Sequence, residues 1–215
     1  MVSCDLFVFD MDGVLVDSSG CHRLAYERLW QRCGVVGPAY NDIAGRSTRD
    51  VVQEFTVSAH PLPRQIEEWV TFKQGEARAL LASETIVYED TLPTLRALQE
   101  RAMPMAVATG ASRATADLIL EKTCLRAFFR DIVTAEDVTR GKPDPEIYRC
   151  VLARAGVVSK RCVIVEDSMS GIDAGLDCGA RVVCVRTGLG RDHPAFLGSF
   201  RDLGAAVADL MGTLP

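Results

Sequence analysis

No apolar run in this 215-residue sequence approaches the roughly 18 residues that a membrane-crossing helix needs. Basic residues do not predominate either. Lys and Arg number 24 against 29 Asp and Glu, for a net charge of −5. That balance argues against a general nucleic-acid binder and a polybasic membrane anchor, though it allows a local basic pocket for a small anion. The first residues carry no basic stretch, so no secretory signal is expected and the expected compartment is the cytoplasm. Eight cysteines are present, but none forms a C-x-x-C pair. Most lie inside apolar runs, which predicts reduced core thiols and not a disulfide or zinc framework. Internal repeats and low-complexity tracts are also lacking. The length allows one full domain plus a modest insertion, with a core that needs no staple.

What is present is an alternation. Leu6–Phe9 is continuously apolar, as expected of a parallel strand covered on both faces. Similar runs occupy 103–108, 131–134, 162–165 and Arg181–Val185. Between them Leu92, Leu95, Leu98 and Ala102 recur at helical spacing, as do Ile147, Val151, Leu152 and Ala155. Strands separated by helices imply βαβ units: an α/β fold with a doubly wound, Rossmann-like parallel sheet. The stretch 17–84 breaks the rhythm. It shows no convincing strand, and helical patterns at 22–32, Thr48–Phe55 and 64–82, with breakers at 34–38 and 60–63. The expected organisation is a catalytic core from 1–16 and 85–215 with an α-helical cap domain inserted at 17–84.

The first strand runs into Asp10, Met11, Asp12 and Gly13. Ligands of open α/β sheets bind beyond the carboxyl ends of the strands. Residues i and i+2 of an extended stretch point the same way, so Asp10 and Asp12 can face one ligand. Two carboxylates so close repel unless a cation is present, and a hard divalent ion such as Mg²⁺ suits oxygen ligands. An EF-hand calcium loop does not fit, because its glycine stands six positions in, between two helices. A solvated acidic turn remains the alternative for this segment alone.

Further segments point to the same rim. Thr109, Gly110, Ala111 and Ser112 follow the second strand, where a hydroxyl and free amides can hold a phosphoryl oxygen or merely cap a helix. A rigid turn, Arg140 to Pro145, presents Lys142. Glu166, Asp167 and Ser168 end another apolar strand, and buried carboxylates need partners. Gly171, Ala174 and Gly175 let the next helix pack closely on the sheet.

Asp10-x-Asp12-Gly13, Thr109, Lys142-Pro143 and Glu166-Asp167-Ser168, in that order, resemble the motifs of the haloacid dehalogenase superfamily of phosphotransferases. The resemblance spans nearly the whole chain. It includes the cap inserted after the first motif, as in the branch with β-phosphoglucomutase and phosphoglycolate phosphatase. It implies that Asp10 attacks phosphorus to form an aspartyl-phosphate and that Asp12 is the acid and base. Lys142 and Thr109 would neutralise and hold the phosphoryl oxygens. Mg²⁺ would be held by Asp10, the backbone carbonyl of Asp12 and Asp167, with Glu166 a direct or water-mediated helper. The dehalogenases and phosphonatases of the superfamily lack an acid at the Asp12 position, so phosphomonoester chemistry is expected.

On the substrate side, Gly45, Arg46 and Arg49 resemble the specificity loop of the branch, where an Arg can hold a second anionic group or simply be solvated. His22 falls where β-phosphoglucomutases carry a functional His, and Lys73 where relatives put a substrate Lys. Gly110, Ala111 and Ser112 would complete the pocket, with Arg113 a weaker candidate. Relatives usually re-enter the core with Pro-Gly; here the stretch is Val87, Tyr88, Glu89, Asp90, Thr91, which alters the hinge and adds negative charge near the entrance. The expected function is a Mg²⁺-dependent phosphatase of a small phosphorylated metabolite, with a phosphosugar first. A β-phosphoglucomutase-like phosphotransfer is the alternative. A non-catalytic binding domain is a third reading, but it has no use for the full set Asp10, Asp12, Lys142 and Asp167. A monomer or weak homodimer with no nucleic-acid or membrane partner is expected.

Overall fold

The apolar runs become one parallel sheet in the computed structural model, which describes residues 4–57, 63–84 and 86–212. In chain order the elements are β1 Leu6–Phe9, β2 Val16–Asp17, α1 Ser19–Cys33, α2 Tyr40–Ile43, α3 Thr48–Phe55, α4 Pro63–Glu84 and β3 Ile86–Val87. Then come α5 Thr91–Glu100, β4 Met105–Ala108, α6 Arg113–Lys122, β5 Asp131–Val133, α7 Glu146–Ala155, β6 Cys162–Glu166, α8 Met169–Asp177, β7 Arg181–Val185, β8 Phe196–Phe200 and α9 Leu203–Met211.

The strand order is β5-β4-β1-β6-β7-β8, and every pairing is parallel. The chain winds outward from β1 through β4 to β5, then returns to β6 on the other side of β1. The reversal places the carboxyl ends of β1, β4 and β6 side by side, where ligands of doubly wound sheets bind. Alternation along β1 sends Phe7 and Phe9 to one face and Leu6 and Val8 to the other. The first face is covered by α5, α6 and α9 through Leu95, Leu98, Ile119, Leu120, Val207 and Leu210. The second is covered by α7 and α8 through Ile147, Tyr148, Val151 and Ile172. Truncating a buried ring such as Phe9 to Ala costs about 3–5 kcal/mol.

Helices α1, α2, α3 and α4 gather Tyr26, Leu29, Trp30, Ile43, Val51, Val52 and Val70 into a cluster of their own. Cys21 and Ala25 of α1 and Ala77 and Leu81 of α4 instead join the sheet's first core. The ammonium of Lys122 on α6 donates to Leu81 O (3.0 Å) and Ala82 O (2.6 Å), satisfying carbonyls of the last turn of α4.

Two features escape the sequence pattern. Strand β8 (FLGSF) is a half-buried edge strand with a register shift against β7 and Gly198 at φ 135, so its apolar pattern is broken. Strands β2 and β3 pair antiparallel where the chain leaves and re-enters the sheet, and two residues each are too few to show a period. The expected breaker at 60–63 lies mostly outside the described residues; its last residue, Pro63, opens α4. All eight cysteines are free. Cys21, Cys162 and Cys184 are buried, whereas Cys124 is exposed, contrary to a core role.

The re-entry segment also differs from expectation. Asp90 does not add charge to an entrance: its Oδ1 accepts from Arg186 Nη2 (2.8 Å), and its Oδ2 accepts from Leu203 N (2.7 Å) and Gly204 N (3.2 Å) at the start of α9. Arg186 also lies over the Tyr88 ring at 3.6 Å. Among the described residues no helix is long and apolar enough to cross a membrane.

Candidate active site

Asp10 extends β1 by one residue: its N–H donates to Val165 O at 3.0 Å. The residue is 2% exposed and its side chain meets Lys142, which reaches in from the turn before α7. The Lys142 ammonium donates to Asp10 Oδ1 (2.8 Å), Glu166 Oε1 (2.6 Å) and Ala108 O (3.1 Å), so its three N–H groups are satisfied. Burial works against that charge, but the Asp10 and Glu166 carboxylates outweigh it and hold Lys142 above the usual lysine range. Asp10 is pushed up to about 7, chiefly by burial and then by the charges of Glu166 and Asp12, with Lys142 opposing.

Glu166 is fully engaged. Its Oε1 also accepts from Tyr148 Oη at 2.5 Å, and its Oε2 accepts from Asp167 N (3.1 Å), Ser168 N (3.3 Å) and Ser168 Oγ (3.0 Å). Carboxylate oxygens of Asp10, Glu166 and Asp167 lie within 4.8 Å of one another. Burial, with Glu166 and Asp10 alongside, pushes the Asp167 carboxyl well above its usual value. Two glycines make this crowding possible. A Cβ on Gly13 would stand 1.9 Å from Asp167 Oδ2, and one on Gly171 would stand 1.8 Å from Glu166 Oε1. Gly13 also has φ 78, a left-handed turn that glycine adopts freely.

This donor set fits a hard divalent cation. Asp10, Glu166 and Asp167 put three carboxylates around one ammonium, and such an excess of negative charge away from solvent is costly without a further cation. Since Glu166 already accepts from five donors, Asp10 and Asp167 are the carboxylates with lone pairs to offer.

Asp12 faces the other way, toward α1 and α4, and its carboxylate is not part of that cluster. It accepts a short hydrogen bond from Ser18 Oγ, and His22 Nε2 lies 3.2 Å from its Oδ1. Behind the ring, Lys73 Nζ is 2.9 Å from His22 Nδ1 and 4.2 Å from the centre of the Tyr26 ring. The ammonium can only donate, so Nδ1 is the acceptor and the ring proton sits on Nε2, toward Asp12. Burial alone would raise Asp12, but His22, Ser18 and Lys73 reverse this and hold its carboxyl below the usual range. Lys73 is pulled down to about 8 by burial, with Asp12 opposing.

Between sheet and helices lies a cavity of about 40 Å³ lined by Asp10, Asp12, His22, Tyr40, Lys73 and Ser112 among others. Gly45, Arg46, Gly110 and Ala111 also line it. A Cβ on Gly110 would stand 3.0 Å from Gly45 O, and one on Gly45, at φ 76, 2.3 Å from Ser168 Oγ. Small residues therefore let the loop before α3 lie against the sheet. Arg46 reaches the cavity while its Nη2 bonds Glu54 at 2.5 Å. Thr109 is buried beside it, its Oγ1 accepting from Ala111 N at 3.1 Å.

The fold does not bring every candidate here. Arg49 pairs with Glu67 on the outside of α3 and α4 (Nη2 to Oε2, 2.8 Å) and lines a different cleft. Arg113 is tied to Asp137 (2.7 Å) and Ile132 O (2.9 Å). Ser112 lines the cavity but its hydroxyl also caps α6, accepting from Thr115 N at 3.3 Å. Tyr26, Tyr40, Thr48 and Gln74 line the cavity as well, and Tyr148 braces Glu166. Nothing in their local sequence distinguishes them from ordinary helix residues.

The profile of the haloacid dehalogenase-like hydrolases matches residues 7–185. A fructose-1-phosphate phosphatase of Escherichia coli is 30% identical over 187 residues, 83% of this chain and 95% of that protein. A phosphorylated carbohydrates phosphatase of Thermotoga maritima is 28% identical over 174 residues, 80% of either chain. Among solved structures, a hydrolase from Pseudomonas syringae superposes with a TM-score of 0.83 at 22% identity, covering 96% of this chain and 98% of that one. β-Phosphoglucomutase from Clostridium difficile superposes with a TM-score of 0.76 at 19% identity, over 85% and 84% of the two chains, a likeness of fold. With its acidic strand ends, buried lysine and helices over the sheet, this chain belongs to the haloacid dehalogenase-like hydrolase family.

Proposed function

We propose that the protein is a Mg²⁺-dependent phosphatase that hydrolyses a small phosphomonoester, with phosphorylated sugars the leading class, through an aspartyl-phosphate on Asp10. The observation that carries this reading is the buried Lys142–Asp10 contact of 2.8 Å, with Asp12 and His22 across the same cavity. A nucleophile held next to a fixed cation, opposite an acid and base, is what phosphoryl transfer needs. The names of the relatives support the substrate class.

Asp10 and Asp167, with the backbone carbonyl of Asp12, would hold Mg²⁺, which when bound supplies charge neutralisation for the phosphoryl oxygens. Glu166 serves as counter-charge to Lys142. Asp10 attacks phosphorus as the bond to the alcohol breaks, and Asp12 delivers a proton to the leaving oxygen. Held below the usual carboxylate range, Asp12 must first collect that proton, which the like charge of an arriving phosphate favours. Asp12 then takes a proton from the water that attacks the aspartyl-phosphate, releasing inorganic phosphate and free Asp10. Lys142 and the hydroxyl of Thr109 stabilise the equatorial oxygens. Residues 17–84 act as a cap over a core of 1–16 and 85–215. The cavity of about 40 Å³ lies far below the ~300 Å³ of ordinary small-molecule pockets, so substrate entry requires the cap to swing.

The test is phosphate release from a panel of sugar phosphates with Mg²⁺ and with chelator. Asp10→Asn should lower turnover by about 10³-fold or more with an unchanged melting temperature or a higher one. Full activity in that variant ends the assignment. The His22 contact with Asp12 favours a second reading, phosphotransfer as in β-phosphoglucomutase. Glucose 6-phosphate formed from β-glucose 1-phosphate with little free phosphate would establish it.

A further inference from the structure

Tyr40 and Ala44 line two cavities at once. One is the inner cavity of about 40 Å³ beside Asp10 and Asp12. The other is an outer groove of about 500 Å³, lined also by Ser19, Arg23, Asn41, Asp167 and Thr187. The inner space has room for only a few waters, at ~10–15 Å³ each. The outer groove is in the ~300–1,000 Å³ range of small-molecule sites. A wall that two cavities share is the place where a change of side chain joins them. Ala44 offers only a methyl group, so the wall is essentially the half-buried ring of Tyr40.

The ring is well fixed. It sits at the start of α2 with its centroid 6.4 Å from that of Tyr26. Burial, with Asp12, Tyr26, Asp167 and Asp10 beside it, keeps the phenol protonated far above neutral pH. The groove behind it offers the hydroxyls of Ser19 and Thr187, the Asn41 amide and charges of both signs, with Met169 and Leu189 as an apolar floor for the C–H face of a sugar. That lining suits an uncharged, hydroxyl-rich chain.

We propose that the ring of Tyr40 is a partition that sets the size of the leaving group. A short alcohol stays inside with His22 and Lys73, and a longer polyol or sugar is accepted to the extent that it passes Tyr40 into the outer groove. The inference rests on the phosphatase reading and names the residue that sets its substrate range.

The experiment compares phosphate release from glucose 6-phosphate and trehalose 6-phosphate by the wild-type protein, Tyr40→Ala and Tyr40→Phe with Mg²⁺. The readout is the ratio of kcat/KM for the disaccharide to that for the hexose. Tyr40→Ala should raise the ratio about tenfold or more, chiefly through KM, and Tyr40→Phe should keep the wild-type ratio. Gly20→Phe provides the opposite change. Gly20 also lines the outer groove, and a Cβ there would meet nothing within 4 Å, so a ring is accommodated at this position and should lower the ratio. Tyr40→Leu, which keeps an apolar contact with Tyr26, replaces Tyr40→Ala if that variant does not melt cooperatively. Equal ratios in wild-type, Tyr40→Ala and Gly20→Phe proteins overturn the partition while leaving the phosphatase intact. A shift as large in Tyr40→Phe as in Tyr40→Ala assigns selection to the hydroxyl and also overturns it. Folded proteins that release phosphate from neither sugar, nor from any other member of the sugar-phosphate panel, would bring down both readings.

Discussion

Lys73 is a buried ammonium whose only close polar partner among the described residues is the His22 ring, with the Tyr26 face beneath it. A group in that position costs stability, so if it holds substrate as proposed the two effects separate on mutation. Its folded pKa of about 8 lies below the ordinary 10.5. Below pH 8 both folded and unfolded chains carry the proton, and the cost of burying the charge, about 3 kcal/mol, is fully present. Between pH 8 and 10.5 the folded form loses the proton first, so wild-type stability gains with rising pH. Lys73→Met should therefore melt no lower than wild type at pH 7, and its advantage should shrink from pH 8 to 10. Its kcat/KM for a phosphorylated substrate should fall about tenfold or more. Urea titrations at pH 7 and 10 check the sign, and a variant that unfolds more easily at pH 7 contradicts it. Gly13 gives a second prediction at this scale. Gly13→Ala forces a Cβ to within 1.9 Å of Asp167 Oδ2 at φ 78, and should lose about 1–3 kcal/mol of stability together with most of its Mg²⁺ affinity.

At the scale of elements, three segments distant in sequence meet at the re-entry strand. Arg186, itself at φ 69, joins Asp90, the Tyr88 ring and Val14 O, while Asp90 caps the first turn of α9. The turn after Asp12, the re-entry segment and the last helix are thus held by one partly buried ion pair. Asp90→Ala removes a cap and leaves Arg186 without its carboxylate, which should cost about 2 kcal/mol in urea unfolding. Glu89→Ala, one residue away and exposed, should cost almost nothing. Equal losses in the two variants would show that the clasp contributes little.

For the molecule as a whole, the acidic centre couples cation binding to stability and pH. In the metal-free protein Asp10 is lifted from 3.8 to about 7. Between those values the folded state holds a proton that the unfolded chain has released, so metal-free stability falls as pH rises through that window. A cation must displace the same proton, so Mg²⁺ affinity should rise with pH up to about 7. At a hundred times its dissociation constant Mg²⁺ should add about 2.7 kcal/mol, or ~5–10 °C in melting temperature. At a fixed Mg²⁺ concentration, the gain over chelator should be larger at pH 8 than at pH 5.5. Thermal melts at the two pH values decide it, and an equal gain would show that Asp10 is already ionised without the cation.

The strands and the acidic motifs could be read along the chain because their causes are local. A buried parallel strand must be apolar throughout, as Leu6–Phe9 is, and its last residue is where a ligand-facing carboxylate stands. Strand β8 and the β2–β3 ribbon were not legible, since an edge strand bent around Gly198 and two-residue strands obtain their pairing from neighbours far away in sequence. Residue type and spacing also selected Asp10, Asp12, Lys142, Glu166 and Asp167 as candidates. Which of these carboxylates has lone pairs left for a cation depends on donors from Lys142, Tyr148 and Ser168. Likewise, only the packing of α1 to α4 directs Lys73, Arg46 and Tyr40 to the cavity and turns Arg49 outward to Glu67. Side chains about 30 to 60 residues and more from Asp10 in sequence reach the cavity only through tertiary contacts, and such contacts leave no periodic trace in the sequence.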